Sequence, residues 1–289
     1  MTTPLHIGFI PLVDAAALIV AVDKGFAAAE GLDVTLTREV SWSNVRDKLN
    51  IGLFDAAHLL APVAISSSLG LGHVKVPIAA PFNLGINGNA ITVSPQLHAA
   101  IMGEIDGDRL DPMATALALA RVVATRRKAG REPLTFGMTF PFSTHNYQLR
   151  FWMAAGGVDP DEDVHLVVLP PPYMVDSIAS GHVDAFCVGA PWNSIAVDLG
   201  VGHIVHFVAD ILVRAAEKVL AVRQEDGKVA FSYAFSQPMS FQPALAKGNI
   251  YVPTNDGHLI CLKTTSADAD GWTAWGGNAQ HNKTDEKAK

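Results

Sequence analysis

The chain of 289 residues is 49% hydrophobic and 17% charged, a balance that supplies a buried core and excludes a disordered protein. Its 21 Lys and Arg against 28 Asp and Glu give a formal net charge of −7. With no basic stripe to neutralise phosphates, nucleic acid is excluded as the main partner. The two cysteines, Cys187 and Cys261, lie far apart among apolar residues, a pattern of buried thiols rather than of a disulfide framework or a metal site.

No basic-then-apolar leader with a small-residue cleavage site opens the chain, and no apolar run reaches the ~18 residues of a membrane span. A cytoplasmic location follows, or a periplasmic one if a leader has been removed. Leu5–Ile10 reads as a first strand, and Asp14 as the N-cap of a helix to Lys24 with Ala16, Leu18, Ile19 and Val22 on its apolar face. A strand over 31–36, a helix from a Ser43 cap to Leu49 and a short strand-like element at Phe54–His58 come next. Pro62 starts another helix, and Val74–Ala80 is strand-like, with Pro77 marking an edge or a bulge.

The Asn87-Gly88 turn and the strand Ala90–Val93 mark the crossing into a second lobe. Asp111-Pro112 opens a long helix to about Ala129, ended by Gly130. The basic residues Arg126, Arg127, Lys128 and Arg131 read as a solvated helix end facing the dipole. Leu134–Met138 is a strand, and the polar turn Phe140–Ser143 leads into an apolar-periodic helix through Trp152. Val164–Leu169, the rigid turn Pro170–Pro172 with a helix to Ser180, Val183–Val188, a helix from Pro191 to Leu199 and His203–Val208 repeat the alternation.

Strand–helix alternation predicts α/β lobes with open, mainly parallel sheets, and in such sheets ligands bind beyond the C-terminal strand ends. Two lobes imply a cleft. After Arg223 the pattern becomes a β-meander, with Val229, Phe231, Tyr233 and Phe235 alternating and an Asn255-Asp256-Gly257 hairpin signal between Ile250–Val252 and His258–Leu262. The expected division is 1–85 as part of the first lobe, 86–190 as the second, 191–223 as a return to the first, and 224–289 as a separate β-rich piece with a frayed tail.

Several motifs, taken in order, carry a resemblance. They are Gly8-Phe-Ile-Pro-Leu-Val-Asp14, Ser41-Trp-Ser-Asn-Val-Arg-Asp-Lys-Leu49, Asp55-Ala-Ala-His-Leu-Leu60, Asn87-Gly-Asn-Ala-Ile-Thr-Val93 and Ser143-Thr-His-Asn146. Leu149-Arg-Phe-Trp152, Ala154-Ala-Gly-Gly157, Pro170-Pro-Pro172, Asp184-Ala-Phe-Cys-Val-Gly189, Pro191-Trp-Asn193 and Glu217-Lys-Val-Leu220 complete the series. In this order and spacing, residues 5–223 resemble the nitrate- and bicarbonate-binding receptors of ABC-type uptake systems and their cytoplasmic nitrate-sensor relative.

The resemblance implies a bilobal periplasmic-binding-protein-like fold closing on one small planar oxyanion. It implies contacts from Trp42, Asn89, His145, the Pro171–Pro172 turn and Lys218, the last supplying the charge. Asn89 stands where nitrate-binding relatives often carry a glutamine. The implied partners are a transporter's membrane and ATPase components or a cytoplasmic regulatory protein.

Residues 226–289 resemble a blade of the quinoprotein-like β-propellers, through Gly227-Lys-Val-Ala-Phe231, Gly248-Asn-Ile-Tyr-Val252 and Gly271-Trp-Thr-Ala-Trp-Gly-Gly-Asn278. One blade cannot bury its own faces and carries no quinone site. The two resemblances together imply a receptor whose first lobe is C-terminally truncated, fused to a repeat fragment. The alternative reading is a propeller-derived interaction fragment joined to a remnant receptor.

Apart from the resemblance, His145 at a helix start beside free backbone N–H groups suits an anion, as does the indole N–H of Trp42. Trp192 and Asn193 read as hinge packing. His58, His182, His203 and His206 show no metal-ligand spacing, and no acidic cluster requires calcium. No cofactor is expected. No Ser/His/Asp or Cys/His arrangement, P-loop or dinucleotide fingerprint is present, so the expectation is a binding protein and not an enzyme.

Overall fold

The computed structural model of the chain describes residues 2–80, 84–85, 87–212, 218–222, 229–234, 244–246, 248–253 and 259–263. It divides into two compact units, Met1–Val213 and Arg214–Lys289.

The first unit contains two sheets. The smaller is parallel, with β1 (Thr3–Phe9) at its centre, flanked by β2 (Leu32–Arg38) and β3 (Ala56–Ala57). Its helices are α1 (Ala16–Asp23), α2 (Phe26–Ala29), α3 (Trp42–Asn50) and α4 (Ala61–Leu69). Asp14 does not cap α1. The chain enters through a 3-10 turn, Val13–Ala15, which leaves the Asp14 carboxylate to pair with His58. The expected apolar face of α1 is only partly covered: Leu18, Ile19 and Val22 are half-buried, Ala16 is exposed, and none of its residues is fully buried.

For α3 the cap is Ser41 rather than Ser43: Ser41 is extended, and its hydroxyl accepts from the Asn44 N–H at 3.3 Å. Val74–Ala80 forms no strand. Pro77 lacks a ladder donor, and the segment bonds to α4 instead, with Val76 N donating to Ser67 O and Ile78 N to Ser68 Oγ.

The larger sheet has the order β6-β5-β7-β4-β8. Its strands are β4 (Asn89–Val93), β5 (Leu134–Met138), β6 (Val164–Val168), β7 (Ala185–Gly189) and β8 (His203–Phe207). Strands β5, β6 and β7 are parallel, whereas β4 runs antiparallel to both β7 and β8, so the sheet is mixed. Residues 203–207, expected in the return to the first lobe, therefore belong to the second sheet. The next helices are α5 (Pro95–Glu104), α6 (Pro112–Lys128), α7 (Thr144–Ala155), α8 (Met174–Ala179), α9 (Trp192–Asp198) and α10 (Val208–Ile211).

Asp111 caps α6 by accepting from Met113 N at 3.0 Å, and Gly130 follows it at φ +63°. Ile91, Phe136, Leu119, Leu149, Trp152 and Cys187 lie in the main core between sheet and helices. Each is largely removed from water, the main favourable term in folding.

In the second unit, β9 (Lys218–Val222) pairs antiparallel with β10 (Val229–Ala234). A separate antiparallel sheet has the order β11 (Ala244–Ala246), β12 (Asn249–Pro253), β13 (Leu259–Lys263). The expected β12–β13 hairpin pairing forms, with Val252 opposite Ile260, while its turn at 254–258 and the 264–289 tail lie outside the described residues. Cys261 is exposed, contrary to expectation, because successive strand residues face opposite sides and it alternates with Ile260 and Leu262 of the small core.

Candidate anion site

Apart from Asn89, which opens the antiparallel β4, the site residues of the first unit follow strand ends. Asp14 comes after β1, Trp42 after β2, His58 after β3, His145 after β5, Pro171 after β6 and Trp192 after β7. In parallel sheets these C-terminal ends lie along one edge, where loops and helix starts converge. An apolar cluster joins the two edges: Ile10, Leu12 and Trp42 from the smaller sheet pack with Phe140, Phe142 and Trp192 from the larger. A backbone bond from Val13 N to Ala190 O at 3.0 Å adds to that junction.

His145 lies in the first turn of α7, which Ser143 caps by accepting from Asn146 N at 3.1 Å. The Ser143 hydroxyl also bonds the Phe140 carbonyl, which fixes the turn. The imidazole is buried (2% exposed). Its Nδ1 is 3.0 Å from Thr139 Oγ1, and its Nε2 has no protein partner. Burial drives its pKa down to about 4 against the opposing pull of Asp14, so at neutral pH the ring is uncharged and not an imidazolium. When the Thr139 hydroxyl donates to Nδ1, the ring proton sits on Nε2.

Trp42 opens α3 and is 1% exposed, and its Nε1 donor is also unpartnered. Its ring meets His58 edge-on, with centroids 5.1 Å apart at 74°. His58 Nε2 lies 3.2 Å from Asp14 Oδ1, while the buried His58 Nδ1 has no partner. Burial alone would raise the Asp14 pKa, but the hydrogen bond and charge of His58, with a smaller contribution from His145, hold it below the usual carboxylate value.

Asn89 reaches the same place, but its donors are engaged. Nδ2 donates to Thr144 Oγ1 at 3.2 Å and to Gln148 Oε1 at 3.1 Å, both on α7. The side chain thus braces the helix that carries His145, and its remaining oxygen is an acceptor, the wrong polarity for an anion. Pro171 is buried in a 3-10 turn, Pro171–Tyr173, held beside the end of β5 by Leu169 N donating to Met138 O at 2.8 Å. Pro172 is half-buried there. Lys218 lies on β9 of the second unit, and its side chain is outside the described residues.

Three further residues stand at this junction, none of them assigned to the anion from sequence, where Trp192 reads as hinge packing and His58 only as lacking metal-ligand spacing. Trp192 packs against the bridging cluster with its Nε1 buried and unpartnered. Arg46 lies over the Phe140 ring, 5.2 Å from its centroid, and pairs with Asp47 at 2.7 Å. The third is His58. Each falls in or beside a quoted motif, but only the folded edge-to-edge arrangement brings them together. Asn193, by contrast, ties the neighbouring strands β4 and β7 of one sheet, accepting from Thr92 Oγ1 at 2.8 Å and donating to Val188 O at 2.7 Å.

The basic run is accounted for by local bonds, as expected of a helix end: Arg126 donates to Glu132 O at 3.0 Å and Arg127 pairs with Asp163. Among the described residues no group of three His, Cys, Asp or Glu could hold a metal, and no helix is long and apolar enough to cross a membrane.

Residues 1–226 match the NMT1-like family. The nitrate/nitrite binding protein NrtA of Nostoc sp. is 36% identical over 229 residues, covering 78% of this chain and 49% of its own length. The bicarbonate transport ATP-binding protein CmpC of Synechococcus elongatus is 35% identical over 223 residues, covering 76% of this chain and 32% of its own. The crystal structure of the periplasmic nitrate-binding protein NrtA from Synechocystis superimposes with a TM-score of 0.63 at 32% identity, covering 72% of this chain and 52% of that one. The chain thus spans about half the length of these two binding proteins and about a third of the ATP-binding one. With an α/β binding-protein fold and a match through most of its length, the chain belongs to the NMT1-like family.

Proposed function

We propose that the first unit is the binding part of a receptor for a small planar oxyanion, nitrate or bicarbonate in kind. The observation that carries this is a pair of buried ring nitrogens without protein partners, Trp42 Nε1 after a strand of the smaller sheet and His145 Nε2 after a strand of the larger, the second a donor when Nδ1 accepts from Thr139. A buried N–H left unmade costs about 1–3 kcal/mol, and an anion with charge spread over several oxygens satisfies more than one at once. A low-dielectric setting strengthens each bond. Pro171 and Pro172 have no N–H to offer and serve as a rigid wall. For Lys218, of the second unit, a charged contact is implied only by the motif it shares with the receptors, and the substitution below tests it.

The relatives are named for binding or transporting nitrate, nitrite and bicarbonate, which supports a role beside the membrane and ATPase components of an ABC-type importer, in the periplasm. A cytoplasmic nitrate sensor is the second reading. The β11-β12-β13 order supports a blade-like antiparallel piece in the second unit.

Titration calorimetry with nitrate, nitrite and bicarbonate tests the receptor reading. Binding in the micromolar range, about 8 kcal/mol, is expected for at least one. His145→Ala is expected to weaken it at least tenfold, and Lys218→Ala comparably. No heat with any of the three overturns the reading, and binding that survives both substitutions overturns the site.

A further inference from the structure

We infer that His58, set by Asp14, is a further ligand-facing residue of this site and that it matches the proton content of the bound oxyanion. A hydrogen-free anion such as nitrate is bound together with one proton, taken up at His58 Nδ1. A hydrogen-bearing anion such as bicarbonate instead donates its own O–H to the bare Nδ1. The inference rests on the receptor reading and names a specificity device within it.

Three observations carry it. His58 is 3% exposed, yet its Nδ1 is buried without a partner, in a protein where such atoms normally find one. The other ring nitrogen is committed, since the ionised Asp14 can only accept and lies 3.2 Å from Nε2. Nε2 therefore carries a hydrogen in either charge state, and Nδ1 alone changes: a lone pair on the neutral ring, an N–H on the imidazolium. Finally, the ring stands edge-on to Trp42, whose own Nε1 is open. The ring with the unfilled nitrogen is thus in contact with the ring whose donor is proposed for the ligand.

The charges around the ring decide the sign. Asp14 bears on both His58 and His145. On α3, Arg46 is paired with Asp47, and Lys48 with Glu39. An unoffset Asp14 carboxylate beside the cleft repels any incoming anion. Protonating His58 converts the Asp14–His58 pair from net negative to neutral and turns Nδ1 into a donor. For nitrate the balance is one anion and one proton in, with no covalent bond changed. For bicarbonate the proton arrives on the ligand.

The test uses the whole chain at pH 7.5, titrated with nitrate and with bicarbonate in phosphate and in Tris, whose ionisation heats differ. The slope of the heat against buffer heat counts protons. Nitrate is expected to take up close to one proton and bicarbonate close to none. His58→Gln is expected to bring nitrate uptake to zero while leaving measurable binding.

Nitrate binding without proton uptake in the wild-type chain overturns the inference while leaving the receptor reading intact. So does uptake that persists in His58→Gln. No heat with either anion overturns both. Should His58→Gln fail to fold by circular dichroism, the wild-type comparison of the two anions still decides.

Discussion

At the scale of single residues, His145 and Trp42 are the proposed anion contacts because folding removes them from water and leaves a ring nitrogen of each without a partner. The indole N–H can be removed with the ring packing largely kept: Trp42→Phe is expected to weaken anion binding about five- to tenfold, the worth of one hydrogen bond, as read by calorimetry. The depressed pKa of His145 has a stability consequence. The unfolded chain titrates this ring near 6.5 and the folded one at about 4, so between those values the unfolded state binds more protons. The ring's contribution is complete above pH ~6.5 and is lost as pH falls toward 4, on the order of 3 kcal/mol. Chemical denaturation at pH 7, 6 and 5 is expected to show this fall, and His145→Asn to flatten it. His145 was legible from its place at a helix start after a strand. The commitments of the Asn89 amide were not, because both acceptors belong to a helix more than fifty residues on.

At the scale of elements, α7 is the part that aims the site. Its cap was legible, because a polar turn ending in Ser143 before an apolar-periodic run is a helix-start signal. Ser143→Ala is expected to cost about 1 kcal/mol in thermal unfolding and to weaken anion binding, since the capped turn holds His145. The other end of α7 shows what a motif can conceal. A Cβ on Gly156 would lie 2.2 Å from the Ala116 carbonyl oxygen of α6, so the glycine is there for close helix approach and not for a turn. Gly156→Ala is expected to destabilise by about 1–3 kcal/mol, measured by urea unfolding. The Ser41 cap and the loss of the 74–80 strand were misread for one reason: short polar and proline-containing segments have several local solutions, and α4 supplied the bonds that settled one of them.

At the scale of the molecule, the two sheets of the first unit are unequally buried. The larger has an extensive core behind it. The smaller is three-stranded and carries α1 and α2 without one fully buried residue in either, with Phe26, Ile51, Leu53 and Ile65 more than half exposed. Few buried apolar contacts mean low local stability. Native-state hydrogen exchange is expected to show the β1–β3 amides opening well before those of β5 and β7. Equal protection across both sheets would contradict this.

The α/β alternation and the family are legible in the amino-acid order alone, because periodicity and ordered motifs are local and survive without a fold; the boundary expected after residue 223 is not, since Lys218–Val222 already pairs with β10 in the second unit. Only the tertiary structure decided that β4 runs antiparallel, that residues 203–207 join the second sheet, and that Trp42, His58 and His145 leave open nitrogen positions where the two sheets meet. Those facts depend on which strand ends lie side by side, and hydrogen-bond partners distant in sequence fix that.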